Sequence, residues 1–343
     1  HRINRRQRQM CIRDRSNIRD FGLSYVIESI REDLTKFKVI FNNWFFESSL
    51  GKLSDKKSEI SKALAKVQKD HAYEKNGAIW LESTKFGDDK DRVIIREDGR
   101  GTYLSADLAY HRNKLDRGFD TIINVWGADH HGYIKRIEAT IEAMGYSKKQ
   151  MQVQLVQFAN LFENGSKVKM STRSGNFYTL KQLIDDIGPD ASRFYYLSKQ
   201  ADQHLDFDIG IARSNSKDNL YYYIQYAHAR ISSVEKKFLE LSRPLPKKFN
   251  DVDFDECDEL LQMALSAQFV IKSSGESLQP HLIIYYLRDI AQNFHQFYNN
   301  VNILNADEKH KNNIMRTLMI VKSVIASSLH LFCLLYTSDA ADD

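Results

Sequence analysis

A chain of 343 residues with 42% apolar and 27% charged side chains is long enough for two or three soluble globular domains. No run approaches the ~18 consecutive apolar residues of a membrane span, so a membrane bundle is excluded, as are collagen and wholesale disorder. Of the formal charge of +4, the two ends together contribute +2 and the long stretch between them the other +2. Residues 1–16 hold six Arg and one Asp, residues 333–343 hold three Asp, and the stretch between is nearly neutral. A nucleic-acid partner therefore has to be held by a local basic surface and not by a global field. The cysteines Cys11, Cys257 and Cys333 are too scattered for a disulfide framework or a zinc set, and no secretory leader is expected. A reducing, cytoplasmic setting follows as the expectation, with no membrane partner and no structural zinc.

In chain order, Lys52–Asp70 places Leu53, Ile60, Leu64 and Val67 at helical spacing. AYEK and AIWL then flank Asn76-Gly77, a strong two-residue hairpin signal. Val93–Ile95 predicts a short strand. Ser105 is placed to cap a helix running to about Leu115, with Gly118 beyond it. Thr121–Val125 reads as a buried strand leading into WGADHHGY, and Ile134–Met144 as a helix closed by Gly145. Residues 151–158 alternate as a strand, and Asn164-Gly165 turns the chain towards KVKMS. This order predicts an α/β domain with a largely parallel sheet, whose loops at the strand ends carry the chemistry.

The texture changes beyond Gly188. Pro189 suits a first helical turn, Asn219–Leu241 and Glu256–Ser273 are helix-patterned, and Pro280 opens a helix carrying Leu282, Tyr286, Ile290, Phe294 and Phe297 on one stripe. Met315–Phe332 predicts a last apolar helix. An all-helical bundle is expected from about 215 to 332.

Two segments carry candidate chemistry. In Gly127–His131, glycine after a strand lets a ligand approach the backbone, Asp129 can accept ribose hydroxyls, and His130 and His131 can donate to phosphate or ribose oxygens. A paired-histidine metal site and a plain surface loop are the alternatives, and neighbouring histidines on a strand would point apart. In Lys167–Phe177, the cations Lys167, Lys169 and Arg173 with small hydroxyl residues suit a loop folding over polyphosphate, where they would stabilise charge on leaving pyrophosphate. A solvated basic hairpin arm is the alternative.

Gly-x-Asp-x-His followed some forty residues later by Lys-Met-Ser resembles the class I aminoacyl-tRNA synthetases. FNNWFFESSL, LESTKFGDDKDRVIIREDG, TYLSADLAYH, WGADHHGYIKR, KMSTRSGNFYTL, GPDASRFYYL, HLDFDIGIA and YYIQYAHARI narrow the resemblance to bacterial-type arginyl-tRNA synthetases, across about 17–332. It implies a partial Rossmann-like catalytic domain over 17–200 and a helical anticodon-binding domain of the DALR type over 201–332. It also implies arginine-tRNA ligase activity on L-arginine, ATP with Mg²⁺, and tRNA(Arg), with the complete enzyme a monomer. By the same resemblance Tyr103 and Asp107 bind arginine. They stand one helical turn apart, and a carboxylate suits the planar guanidinium fork. Gly127, Asp129, His131, Val168 and Met170 match the ATP site, and Lys169, Ser171 and Arg173 the catalytic loop. Thr172 stands where many class I enzymes have a second Lys, leaving Arg173 as the candidate for that charge. Gln225, His228 and Arg230 are the tRNA-contact candidates among the tyrosines 221–223 and 226, about half of which helical spacing assigns to the core.

The family's His-x-Gly-His motif appears nowhere in the sequence, and residues 1–16 and 333–343 match no family segment. The expectation is an N-terminally truncated fragment, inactive by itself, with foreign tails at both ends. A non-catalytic tRNA-binding or regulatory relative is the alternative. A class I ligase for another amino acid, such as cysteine, is disfavoured by the missing cysteine-based zinc set and by the Tyr103/Asp107 pair.

Overall fold

The computed structural model describes residues 2–163, 165–168, 178–241, 244–250, 257–301, 303 and 306–334, with backbone alone for 2–16. The chain opens with a single helix, α1 (Arg2–Lys36), continuous across the expected tail boundary at residue 16. Two compact units follow from the packing: residues 41–158 with 201–204, and residues 1–40, 159–200 and 205–343.

The unit formed by 41–158 begins with α2 (Glu59–His71), which starts seven residues later than the periodicity suggested. Ser58 sets the start: its hydroxyl accepts the Ser61 N–H at 3.2 Å. Ala63, Leu64 and Val67 form the buried face. β1 (Ala72–Lys75) and β2 (Ala78–Leu81) pair as the predicted hairpin, Lys75 opposite Ala78. Asn76 and Gly77 have φ of 53° and 72°, the left-handed geometry that a two-residue turn between twisted strands requires. β3 (Arg92–Ile95) completes this antiparallel sheet.

α3 (Tyr103–Leu115) begins two residues before Ser105, correcting the expected cap. Thr102 holds the cap position, but its hydroxyl donates to Val93 O at 2.9 Å, and buried Ser105 donates to Ile94 O. Both hydroxyls thus fasten the helix to β3. β4 (Ile122–Gly127) pairs in parallel with β5 (Met151–Val156), and α4 (Ile134–Ala143) lies between them in sequence. Ile122 and Asn124 of β4 are buried and Trp126 packs partly buried against the same core, while Ile123 and Val125 are 48% and 66% exposed. An apolar run such as TIINV reads as buried on both faces, yet alternation places half of it on a face that this unit leaves open. Leu64, Leu81, Ile94, Leu108, Ile137 and Ile141 centre the core.

In the other unit, β6 (Ala159–Glu163) pairs antiparallel with β7 (Ser166–Lys167). α5 (Leu180–Leu197) starts with a reciprocal capping box between Thr179 and Gln182. It kinks at Gly188, where φ is +79°, and Pro189 opens its second segment as expected. β8 (Leu205–Asp208) adds in parallel to β6, so parallel pairing is confined to β4–β5 and β6–β8 among the described residues. After α6 (Ile209–Arg213), buried Asn219 caps α7 (Leu220–Glu240) and donates to Ser214 O at 2.7 Å.

The stretch expected as one helix from Glu256 is divided at Ser266 into α8 (Asp258–Leu265) and α9 (Ala267–Ser277). α10 (His281–Asn300) buries Tyr286, Ile290, Phe294 and Phe297, with Leu282 half-buried at the stripe's edge. α11 (Glu308–Leu331) starts at its Asp307 cap, seven residues before the expected Met315. By length and composition α11 could cross a bilayer, but Ile314, Leu318, Val321, Ile325 and Leu329 are core residues of the bundle. Leu334, inside the expected foreign tail, is also buried there. Arg193 ties three segments together, donating to Phe37 O at 2.9 Å and to Phe332 O at 3.0 Å.

Candidate active site

The carboxyl end of β4 runs into the GADHH segment. Gly127 has an extended backbone, so its φ does not demand glycine, but a Cβ there would lie 2.5 Å from Asp129 Oδ1. The exposed Asp129 side chain can rotate to clear that contact, so neither φ nor packing within the chain demands glycine here. Ala128–Tyr133 coils as a 3₁₀ turn, which corrects the premise that His130 and His131 continue a strand. Asp129, His130 and His131 are all exposed, with Asp129 Oδ2 3.7 Å from His130 Nε2. The loop thus offers one carboxylate acceptor and two imidazoles to an incoming ligand. Among the described residues no three His, Cys, Asp or Glu side chains cluster as a metal site.

Asp107 lies on the first half of α3. Its Oδ2 accepts a 2.6 Å hydrogen bond from the Tyr133 hydroxyl, at the far end of the same 3₁₀ turn. Burial, and then this bond to Asp107, push the Tyr133 phenol well above its ordinary pKa, so it serves as a neutral donor. The Arg136 guanidinium lies 5.4 Å from the centre of the Tyr133 ring, and Trp126 meets that ring edge-on at 6.1 Å. Tyr133 carried no role in the sequence reading, although it stands within the WGADHHGYIKR segment. Its meaning comes from a contact across 26 residues, which local pattern does not reveal. Tyr103, one turn before Asp107, is 85% exposed, and its ring borders a cavity lined also by Lys52, Arg96 and Arg100.

Beneath Asp107 a buried polar network joins α3 to β4. His111 Nδ1 lies 2.8 Å from Asp107 O, and its Nε2 lies 3.0 Å from Asn124 Nδ2. The amide can only donate and the carbonyl can only accept, so the neutral ring carries its proton on Nδ1. Lys114 Nζ donates to Asn124 Oδ1 at 2.7 Å and lies 4.3 Å from the centre of the Tyr110 ring. Burial, reinforced by the Lys114 cation, lowers His111 to about 4, and burial lowers Lys114 to about 8. The network fixes the backbone that presents the Asp107 carboxylate.

Of the phosphate-loop candidates, Lys169, Met170, Ser171 and Arg173 lie outside the described residues. Val168 is described: its side chain packs beside the core of Leu161, Leu183 and Phe207, and its N–H donates to Leu161 O at 2.8 Å. That donor is therefore already engaged within the β6–β7 hairpin.

Among the tRNA candidates on α7, His228 is 1% exposed and packs inside the bundle, presenting no edge to a ligand. Gln225 Nε2 donates to the Tyr221 hydroxyl at 2.9 Å. Arg230 is the candidate with an open chemistry: its guanidinium lies 4.4 Å from the Tyr226 ring centre and 4.9 Å from that of Tyr298. Tyr222 stacks on Tyr226 at 6.0 Å, extending a partly exposed row of rings. Such a row of flat faces around a cation suits unstacked bases.

Comparison with known proteins agrees with both halves of this description. The class I tRNA synthetase (R) catalytic-domain model matches residues 15–206, and the DALR anticodon-binding-domain model matches 224–335. The arginine–tRNA ligase of Bacillus subtilis is 42% identical over 304 residues, covering 88% of this chain and 54% of the relative. That of Legionella pneumophila (strain Corby) is 41% identical over 320 residues, covering 92% and 54%. The chain thus spans about half the length of the curated relatives it matches. A crystal structure from Campylobacter jejuni assigned as an arginyl-tRNA synthetase superposes with a TM-score of 0.83 at 34% identity, covering 94% of this chain and 69% of that one. The Thermus thermophilus arginyl-tRNA synthetase, at 16% identity and a TM-score of 0.72 over 90% of this chain and 62% of that one, shares the fold. The chain belongs to the arginyl-tRNA synthetase family of class I.

Proposed function

We propose that this chain carries the arginine-recognising and tRNA-reading parts of an arginine–tRNA ligase. The activity joins L-arginine to tRNA(Arg) at the expense of ATP, which arrives with Mg²⁺. The observation that carries this reading is the Asp107 carboxylate, set on α3 by the His111 network and oriented by the Tyr133 hydroxyl. Tyr133 occupies one lone pair of Oδ2 and leaves Oδ1 and the second lone pair of Oδ2 to accept a guanidinium fork. Lysine's ammonium has no such planar pair of donors, so the geometry favours arginine. ATP fits at the adjoining turn: Asp129 can accept ribose hydroxyls, His131 can donate to ribose or phosphate oxygens, and Gly127 leaves room for both. Lys169, Ser171 and Arg173 would neutralise charge on the departing pyrophosphate. The Tyr226–Arg230–Tyr298 cluster supports tRNA binding at the bundle.

The test is Asp107→Asn in protein extended to the full length of its relatives, assayed by ATP–pyrophosphate exchange in the presence of tRNA. The KM for arginine should rise by two orders of magnitude or so, roughly the 2–5 kcal/mol of a charged hydrogen-bonded pair, while the KM for ATP changes little. Equal effects on both substrates would remove the guanidinium role.

A further inference from the structure

Asp107 is joined to the GADHH turn at both of the turn's ends. Ahead of the turn, buried Asn124 on β4 donates from Nδ2 to His111 Nε2 at 3.0 Å, and His111 Nδ1 donates to Asp107 O at 2.8 Å. Behind it, the Tyr133 hydroxyl donates to Asp107 Oδ2 at 2.6 Å. Between these two braces Asp129, His130 and His131 are exposed. Among the described residues no hydrogen bond holds their side chains, and Asp129 only approaches His130 at 3.7 Å. The part of the turn that faces a ligand is therefore held by its ends.

The two braces differ in what a ligand can do to them. The Asn124 brace ends on a main-chain carbonyl, which an amino acid gripped by the carboxylate leaves alone. The Tyr133 brace ends on the carboxylate itself. A guanidinium fork that takes Oδ1 and the free lone pair of Oδ2 fixes the plane of that carboxylate and keeps Oδ2 aimed at the phenol. The Tyr133 ring cannot absorb this by swinging freely: Trp126 meets its edge at 6.1 Å, Arg136 covers its face at 5.4 Å, and the next residue begins α4, whose Ile137 and Ile141 are core. Fixing the hydroxyl thus orders the end of the turn. We propose that Tyr133 couples the two ligand sites, so that arginine at Asp107 orders the 128–133 turn for the nucleotide and the nucleotide in return tightens the hold on arginine. The inference rests on the arginine and ATP reading given above. A turn ordered beforehand loses less conformational entropy when a second ligand arrives, which makes the coupling favourable and reciprocal. Charge alone predicts the opposite sign, because the carboxylate of arginine and the polyphosphate of ATP repel each other.

The test uses protein extended to the full length of its relatives, with tRNA(Arg) present throughout. L-arginine is titrated calorimetrically with and without a saturating ATP analogue carrying a methylene bridge between its α and β phosphorus atoms, which cannot react. Wild type should bind arginine about tenfold more tightly when the analogue is present, and the analogue about tenfold more tightly when arginine is present. In Tyr133→Phe, which keeps the ring and its packing, that ratio should fall to about twofold or less, whatever happens to the separate affinities. A merely structural role for the phenol would weaken both ligands and leave the ratio intact. Amide hydrogen exchange supplies a second readout: arginine alone should slow exchange across 128–133 in wild type and not in Tyr133→Phe. No favourable coupling in wild type, coupling that survives in Tyr133→Phe, or equal protection of the turn in both proteins would each overturn the inference. Arginine binding that depends on Asp107 but shows no coupling would leave the ligase reading standing. Binding unchanged in Asp107→Asn would overturn both.

Discussion

Acid should loosen the 41–158 unit through one side chain, His111. Its ring is enclosed between α3 and β4, donates from Nδ1 to Asp107 O and accepts at Nε2 from Asn124, an arrangement available only to neutral imidazole. Its pKa falls from the usual 6.5 to about 4. Between those values the unfolded chain binds a proton that the folded chain refuses, so stability is lost as pH falls through that window. At about 1.4 kcal/mol per pKa unit, the loss between pH 7 and pH 4.5 comes to about 2.5 kcal/mol. The three tryptophans, Trp44, Trp80 and Trp126, all lie within this unit, so urea unfolding followed by tryptophan fluorescence reports it selectively. His111→Gln, which keeps a polar group but cannot titrate, should begin less stable at pH 7 and lose about 2.5 kcal/mol less than wild type on acidification. Carboxylates such as Asp88 titrate in both proteins and cancel in the comparison. Parallel pH profiles for the two proteins would refute a buried neutral His111 and the tautomer assigned to it.

Tyr133→Phe removes the donor that orients Asp107, and the KM for arginine should rise about tenfold in full-length protein with kcat nearly unchanged; a fall in kcat alone would contradict a positioning role. Arg92 holds the buried Asp88 carboxylate with two hydrogen bonds of 2.7 and 2.8 Å, and against the opposing effect of burial this pairing keeps Asp88 well below the usual carboxylate range. Arg92→Leu should therefore cost about 3 kcal/mol in the same fluorescence-detected unfolding, and a loss below about 1 kcal/mol would show the pair to be dispensable. Arg230→Ala should weaken tRNA(Arg) binding to the chain about tenfold with an unchanged thermal melt, and undiminished binding would remove the Tyr226–Arg230–Tyr298 cluster from the tRNA surface.

Much of the architecture was legible because its signals are local. Asn76-Gly77, Pro189 and the Pro280 stripe each dictate a backbone geometry that no distant contact reverses. The misplacements arise where a side chain chose a distant partner. Ser105 has a capping residue's chemistry, yet its hydroxyl goes to Ile94 O, 11 residues back, so the helix begins earlier. Ile123 and Val125 look like core residues, and their exposure follows from strand alternation combined with a face left open. Among the candidate site residues, Gly127 and Asp129 were proposed from the local pattern and Asp107 from the family resemblance. Tyr133 and the His111–Asn124–Lys114 network were not, since their roles exist only once α3 and β4 are packed together. His228 shows the converse: a residue type suited to RNA contact that helical phase turns into the core.

Arginine recognition by Asp107 is tested most directly by replacing the guanidinium with its neutral isostere. Calorimetric titration of full-length protein with L-arginine and L-citrulline should show arginine preferred by about a hundredfold or more in wild type, and that preference should collapse in Asp107→Asn. Comparable affinity for the two amino acids in wild type, or an undiminished preference in the variant, would contradict it.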